Sequence, residues 1–424
     1  MRVAVIGAGW AGLAAAVAAT GAGHAVTLIE SSRTFGGRAR SLPSQMPDGA
    51  PVLLDNGQHI LIGAYTATLQ LMRQVGVDPA AVLLRLPLAL RFPDGAGLAL
   101  PDWPAPLDAA WGICNARGWT VADKFQLLAA ATRWQLAGFQ CAPSMTVAKL
   151  CASMTPRVVE QLIEPLCVSA LNTPAGRASA EVFLRVMRDA LFGRGDGLWS
   201  GSNLLLPRVA LGQLFPEAAA QWLAKRSARR VTGQRVQEIA AHDSRWLVDG
   251  VPFDAVLLAC PPWEAARLVG AAGIAATAWL ERTEALTHEA IATVYASGGP
   301  RLPLPMLALH AGDAAPAQFV FDRSQLGGPP GLLAFVVSAS GRDRDVLQQQ
   351  VLAQAAAVGW SGLQAVQTVV EKRATFACTP GLQRPGLTVA PGLLACGDYV
   401  EGPYPATIEG AVRSALAAVA FLGG

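Results

Sequence analysis

Charge is scarce in this 424-residue chain: only 15% of its residues are Asp, Glu, Lys or Arg, against about 25% in an average soluble domain. That deficit points to an apolar ligand, a membrane surface or a larger assembly, although the arginine- and alanine-rich usage also looks like a GC-rich coding bias. Lysine nearly disappears, with Lys124, Lys149, Lys225 and Lys372 the four among 33 basic residues. The net charge of +3 is too weak to argue for nucleic acid, and the densest basic run, 225–230, has no aromatic interleaving. The seven cysteines form no CxxC pair and no zinc-spaced cluster with histidine, so metal catalysis is disfavoured and reduced thiols in the cytoplasm are expected. No Gly-x-Ser-x-Gly follows a strand, which disfavours a Ser/His/Asp hydrolase. No apolar run of about 18 residues is free of a breaker, so no membrane span is expected. Met1-Arg2 leads straight into Val-Ala-Val-Ile without a basic leader, again suggesting a cytoplasmic chain.

What is plentiful is apolar: 52% hydrophobic residues and a mean hydropathy of +0.35. This rules out a disordered protein and supplies core for two or three domains, or one large interleaved one. The first sixty residues carry the most specific signal. Residues 2–6 read as a buried strand, followed by Gly7-Ala8-Gly9-Trp10-Ala11-Gly12, an Ala-rich helix, and a second strand, 25–29, that ends on Glu30. In this pattern Gly7 allows the tight strand-to-helix turn. Gly9 lets the backbone approach a pyrophosphate, and Gly12 lets the helix pack closely on the sheet. The helix N-terminus, with Trp10 and Ala11 in its first turn, offers free N–H groups to a diphosphate. Glu30 is placed to accept hydrogen bonds from ribose hydroxyls, which argues against a 2′-phosphate and so against NADP.

NAD and FAD share this unit, and the next residues separate them. After Glu30, Ser31-Ser32-Arg33-Thr34-Phe35-Gly36-Gly37-Arg38 resembles the Glu-x(5–7)-Gly-Gly-Arg signature of the flavin amine oxidase and phytoene desaturase superfamily. The resemblance implies FAD, with Gly37 passing under the diphosphate and Arg38 near the diphosphate or the isoalloxazine. Near the other end, Ala395-Cys396-Gly397-Asp398 and Thr407-Ile408-Glu409-Gly410-Ala411 are similar to the superfamily's closing segments. They imply that Asp398, after Gly397, accepts from the ribityl chain. A helix starting near Thr407 and Ile408 would aim its dipole at the pyrimidine edge of the flavin. The superfamily's final glycine is Ala415 here. In the middle, residues 231–239, 246–250 and 253–262 read as three strands, and Val236 stands where the superfamily contacts adenine.

The expected fold is therefore α/β. A discontinuous, GR2-like Rossmann-type FAD-binding domain takes residues 1–64, 195–275 and 386–424. An α+β substrate-binding domain is built from two insertions, a helix-rich 65–194 and a strand-bearing 276–385. The proline-rich stretches 101–106 and 302–306 read as loops.

Leu54-Asp55-Asn56-Gly57-Gln58-His59-Ile60 resembles one branch of the superfamily, the squalene-associated FAD-dependent desaturases, or hydroxysqualene dehydroxylases, of hopanoid biosynthesis. Residues 164–174 and 371–376 fit the same branch. The resemblance covers essentially the whole chain. It implies reductive removal of the hydroxyl of hydroxysqualene, a C30 isoprenoid, to give squalene: the leaving oxygen is protonated, reduced flavin supplies hydride from N5, and an apolar tunnel keeps water out. His59 is the first candidate for proton donor, with Asp55 as its partner or orienter. Gly57 shapes the turn past the flavin. Asn56 and Gln58 hold a water, hydrogen-bond the flavin or shape that turn. Glu409 is expected to support the flavin-site helix. His24, His242, His288 and His310 receive no role.

Two other readings stay open: a carotenoid, phytoene-type or protoporphyrinogen oxidase-like enzyme running flavin in the oxidising direction, and a non-catalytic flavin- or lipid-binding protein. No second GxGxxG unit is apparent, so the electron donor is not identified. A C30 substrate is compatible with peripheral contact at the inner membrane and with contact to upstream squalene-pathway enzymes, but no amphipathic anchor stands out in the sequence.

Overall fold

The computed structural model describes residues 1–193, 195–196 and 199–423. The chain enters with strand β1 (Arg2–Ile6), helix α1 (Trp10–Gly21) and strand β2 (Ala25–Ile29). A hairpin of Ser41–Gln45 and Pro51–Asp55 follows. The helical excursion then holds α2 (Thr66–Gln74), α3 (Leu107–Cys114), α4 (Val121–Leu136), α5 (Glu164–Leu171) and α6 (Ala180–Phe192). The chain returns through β3 (Arg229–Val231) and β4 (Ala255–Leu258). It departs again for β5 (His288–Ser297), β6 (Met306–Ala308), β7 (Phe319–Asp322), β8 (Leu333–Ser338) and β9 (Gln364–Phe376). It ends with β10 (Thr388–Ala390), β11 (Leu393–Ala395) and α7 (Ile408–Leu422).

Two sheets organise these elements. One has the order β3-β2-β1-β4-β11-β10, parallel except for the β10–β11 pair. Its strands come from three separated stretches of chain and make a Rossmann-type α/β unit. Val3, Ala4, Val5, Val256, Leu257 and Leu258 are all fully buried, as expected of a parallel sheet covered on both faces. Burying one such Val or Leu contributes about 1.5–3 kcal/mol. Helix α1 is apolar on nearly every side because α7 and the helix Pro216–Ala224 cover it. The second sheet is antiparallel, β6-β7-β8-β5-β9. Helix Arg344–Ala357 closes its outer face through Leu347, Val351 and Ala355.

One expected element is absent. Val236 lies between β3 and the next strand, Ile239–His242, in a stretch with no strand pairing. Residues 229–258 form five short strands rather than three long ones, because Gly233 (φ +72°) and Gly250 (φ +77°) turn the chain. Val236 is still buried. The stretches 101–106 and 302–305 are non-regular. The expected boundary at 194–195 falls beside residues 194, 197 and 198, which with Gly424 of the last expected piece lie outside the described residues.

Candidate functional site

The turn after β1 is built by backbone contact. Gly7 has φ +103°, and a Cβ there would sit 2.7 Å from the Ala259 carbonyl oxygen. A Cβ on Gly12 would sit 1.8 Å from the Gly7 carbonyl oxygen, so α1 can start this close to the sheet only with glycine. Gly36 pairs with Gly9, and a Cβ on Gly37 (φ +61°) would come 2.9 Å from Gly9 Cα. Two glycine turns therefore lie against each other at the N-terminus of α1, whose first-turn residues Trp10 and Ala11 are buried. Glu30 closes the turn from the end of β2. Its Oε2 accepts from Ala8 N–H at 2.6 Å, and its Oε1 from Ser32 N–H at 2.8 Å. Oε1 also accepts from Ser31 Oγ at 3.2 Å, so it is Oε2 that keeps a second lone pair for another donor.

A cavity of about 960 Å³ begins at this turn. Gly7, Gly9, Glu30, Gly37, Arg38 and Val236 line its first part. Farther in it meets Gly57, Gln58, His59, Gly397, Asp398, Thr407 and Ile408. Beyond them the wall turns apolar, with Ile113, Leu127, Leu162, Leu166 and Met187 from the helical excursion and Phe319 and Phe321 from β7. Arg38 donates to Asp398 Oδ1 at 2.5 Å and to the Ala374 carbonyl at 2.6 Å, spanning the cavity from first segment to last. Thr407 caps α7: its Oγ1 accepts from Gly410 N–H at 3.0 Å. Glu409, fully buried, accepts from Thr68 N–H at 2.9 Å and from Arg413 Nε at 2.7 Å, which ties the N-terminus of α7 to that of α2.

His59 and Asp55, expected as partners, are not joined. Asp55 ends its strand with the carboxylate buried away from the cavity. Its Oδ1 accepts from Leu211 N–H at 2.8 Å, and its Oδ2 lies 3.8 Å from Arg323. Gly57 (φ +132°) then turns the chain, and His59 Nδ1 meets the Gly57 carbonyl at 2.9 Å. Burial pushes the Asp55 carboxyl up to about 6, against the Leu211 hydrogen bond and the Arg323 charge. Burial holds the His59 imidazole below its ordinary value, and the Arg38 charge adds to this, while the Gly57 contact opposes it. The Gln58 Oε1 accepts from Arg323 at 3.2 Å.

Some site residues received no role of their own in the sequence reading. Asn172 follows α5 in the left-handed conformation (φ +45°), donates to Thr375 Oγ1 at 3.0 Å and accepts from Ala339 N–H at 2.8 Å. Glu371 accepts from Asn56 Nδ2 at 3.1 Å. Both line the cavity, as does Tyr399, whose buried hydroxyl has no partner. The stretches 54–60, 164–174 and 371–376 thus converge on one cavity. Asn172 and Glu371 lay in the stretches 164–174 and 371–376 that carry the resemblance, and a helix-terminal Asn, which tolerates φ > 0, was a further signal for Asn172; Tyr399 had none.

These residues fit a flavin dinucleotide on their own terms. The paired glycine turns leave a backbone-lined cradle that any Cβ on Gly37 would fill, at a helix N-terminus suited to a diphosphate. Glu30 retains acceptor capacity for ribose, and Tyr399 and Gln58 carry buried polar atoms without partners beside the inner cavity.

Comparison with known proteins agrees with the geometry. The model of the flavin-containing amine oxidoreductase family matches residues 10–421. The chain is similar to the hydroxysqualene dehydroxylases of Rhodopseudomonas palustris (27% identity, 97% of this chain and 95% of that protein) and Zymomonas mobilis (26%, 97% and 96%). Over 76 residues, 18% of this chain and 15% of that protein, it is 41% identical to zeta-carotene desaturase of Synechocystis. Its fold is similar to that of an oxidoreductase from Methanosarcina mazei (TM-score 0.73, 16% identity, 98% of this chain and 99% of that one). Cyclohexylamine oxidase from Brevibacterium oxydans is also similar in fold (TM-score 0.69, 16% identity, 99% and 98%).

Proposed function

The chain belongs to the flavin-containing amine oxidoreductase family and is an FAD-dependent oxidoreductase, and we propose that it removes the hydroxyl of hydroxysqualene reductively to give squalene. One observation carries this reading: a single cavity joins the glycine cradle to a wall of apolar side chains. The near full-length similarity to hydroxysqualene dehydroxylases supports the same substrate.

On this reading Gly7, Gly9, Gly12 and Gly37 hold the diphosphate, with Trp10 and Ala11 presenting the helix start. Glu30 binds ribose and Val236 lies by the adenine. Arg38, Gln58, Gly397, Asp398, Thr407 and Ile408 surround the flavin end. When bound, reduced FAD supplies a hydride to the carbon that loses its oxygen. The protein must then protonate that oxygen and keep water from the cation.

Leu127, Leu162, Met187 and their neighbours do the second task by desolvating the chain. His59 is assigned the first. Its Nδ1 contacts a carbonyl, which can only accept, so Nδ1 carries a proton and Nε2 is the exchangeable position. Burial and Arg38 make its imidazolium a stronger acid than an ordinary one. Asp55 is no partner to this proton; it anchors the loop. Turnover should rise as pH falls below about 6.5, the ordinary histidine value. His59→Ala should retain FAD, lose that rise and slow turnover by about 10²–10⁴; an unchanged rate removes His59 from the mechanism.

The test of the whole reading is anaerobic incubation of photoreduced protein with hydroxysqualene, following flavin absorbance and extracting the lipid. Flavin reoxidation with squalene formed supports it. Flavin without squalene moves the substrate to polyenes, the reading favoured by the local similarity to zeta-carotene desaturase. If the flavin stays reduced anaerobically and, once air is admitted, reoxidises at the same rate with and without substrate, a binding protein is supported instead.

A further inference from the structure

Helix α4 is apolar on two adjoining faces. Leu127, Leu128, Ala131 and Trp134 line the cavity. Next to them round the helix, Val121 (83% exposed), Phe125 (70%) and Leu136 (84%) face solvent. At 3.6 residues per turn these three fall within about 60° of arc, with Lys124 and Arg133 on either flank. Beside them, Leu107 and Trp111 of α3 and Trp103 are also exposed, and the two indoles lie 5.1 Å apart. Elsewhere among the described residues, large exposed apolar side chains such as Leu53, Val251 and Phe421 are scattered in sequence.

The charge around this face has one sign. Asp108 and Asp123 are buried: Asp108 accepts from Ala109 N–H, and Asp123 accepts from Thr120 N–H and Thr155 Oγ1. Exposed Asp102 is paired with Arg85. Arg117, Lys124 and Arg133 remain as the cations of the segment. The cavity also reaches the surface here, because Pro106, Ala110, Thr132 and Gln135 are at once exposed and part of its lining.

We propose that α3, α4 and residues 103–106 dock on an anionic lipid bilayer, with the outer face of α4 at the headgroup–acyl boundary and the apolar mouth of the cavity opening onto the lipid. An apolar stripe flanked by lysine and arginine, with tryptophan beside it, is the pattern of helices that lie in that boundary. Opposite charge draws Arg117, Lys124 and Arg133 to acidic headgroups. Because the solvent-facing and cavity-lining apolar arcs adjoin and are interrupted by Lys124, no amphipathic anchor stands out in the sequence. That the mouth admits an isoprenoid rests on the proposed function; the docking itself does not.

The test is sedimentation of the full-length flavin-loaded protein with phosphatidylcholine vesicles, with and without phosphatidylglycerol. The wild type should sediment with the acidic vesicles. The double variant Phe125→Glu/Leu136→Glu should bind at least about tenfold less. Lys124→Glu/Arg133→Glu should lose the preference for phosphatidylglycerol. Flavin content and melting temperature should match wild type in both variants, since these side chains are exposed. No sedimentation of wild type overturns the proposal. So does a wild-type dimer that Phe125→Glu/Leu136→Glu converts to monomer without any vesicle binding, because the face would then be a contact between copies. Turnover of vesicle-embedded against detergent-dispersed hydroxysqualene reads the substrate half: the double variant should lose only the former. Absence of squalene in both formats would sink the proposed substrate and leave the sedimentation result intact.

Discussion

The glycine turns at residues 7–12 and 36–37 face the same cavity as the helical wall of Ile113, Leu127, Leu162 and Met187, but they are made by different means. The turns are shaped by backbone: nothing larger than hydrogen fits at Gly12, and the Gly9–Gly37 approach leaves no room for a side chain on Gly37. The wall is shaped by volume, supplied by side chains of the four helices α3–α6 and the π-helical turn before α5. Interiors tolerate exchange of apolar residues of similar size far better than added atoms against backbone. One end is thus constrained in residue identity, the other mainly in bulk.

Gly12→Ala is the harshest test of this contrast. The added carbon would lie 1.8 Å from the Gly7 oxygen, so either α1 moves or the turn opens, at a cost of about 3 kcal/mol or more. Loss of bound flavin and a lower melting temperature are expected; normal flavin content would show the turn to be softer than its geometry.

Asp55 probes the loop between the two ends. With a folded pKa of about 6, above the ordinary 3.8, the protonated form is favoured in the native state. The stabilisation is complete below about pH 4 and disappears as pH rises through about 6. Asp55→Asn should flatten this dependence, a difference of up to about 3 kcal/mol across that window by denaturant unfolding. Identical pH profiles would mean the carboxylate is better compensated than its surroundings suggest.

Glu30→Ala leaves the N–H groups of Ala8 and Ser32 without their acceptor and removes the proposed ribose contact. A loss of about 1.5–3 kcal/mol, or roughly ten- to a hundredfold in FAD affinity, should follow by titration of apoprotein; full occupancy in the variant would sink the assignment. Leu162→Met at the apolar end should cost least, under about 1.5 kcal/mol, with flavin retained and only the Michaelis constant shifted.

The same contrast decides what could be read from sequence. Gly7, Gly9, Gly12 and Glu30 were legible because each local conformation admits few residues, and the closing motif at Asp398 and Thr407 was legible by resemblance. The wall was not, since Leu162 or Met187 could equally belong to an ordinary core. The Asp55–His59 pairing failed because nearness along the chain says little about direction when a glycine such as Gly57 turns it between them. Glu371 and Asn56 are 315 residues apart, and only the folded sheets bring them together. Val236 was mistaken for a strand residue because a buried valine suits a loop packed on the core as well as a ladder.

The six-stranded sheet also sets a timetable for synthesis. Strand β1 pairs with β2 at once, but its other neighbour, β4, is about 250 residues away, and β11, beyond β4, lies farther along the chain still. The first sixty residues therefore leave the ribosome with one sheet edge uncovered and with α1 lacking the cover of α7. Such an intermediate exposes apolar surface and an unpaired strand for most of translation. Loss of α7 would uncover α1, which packs on the first strand.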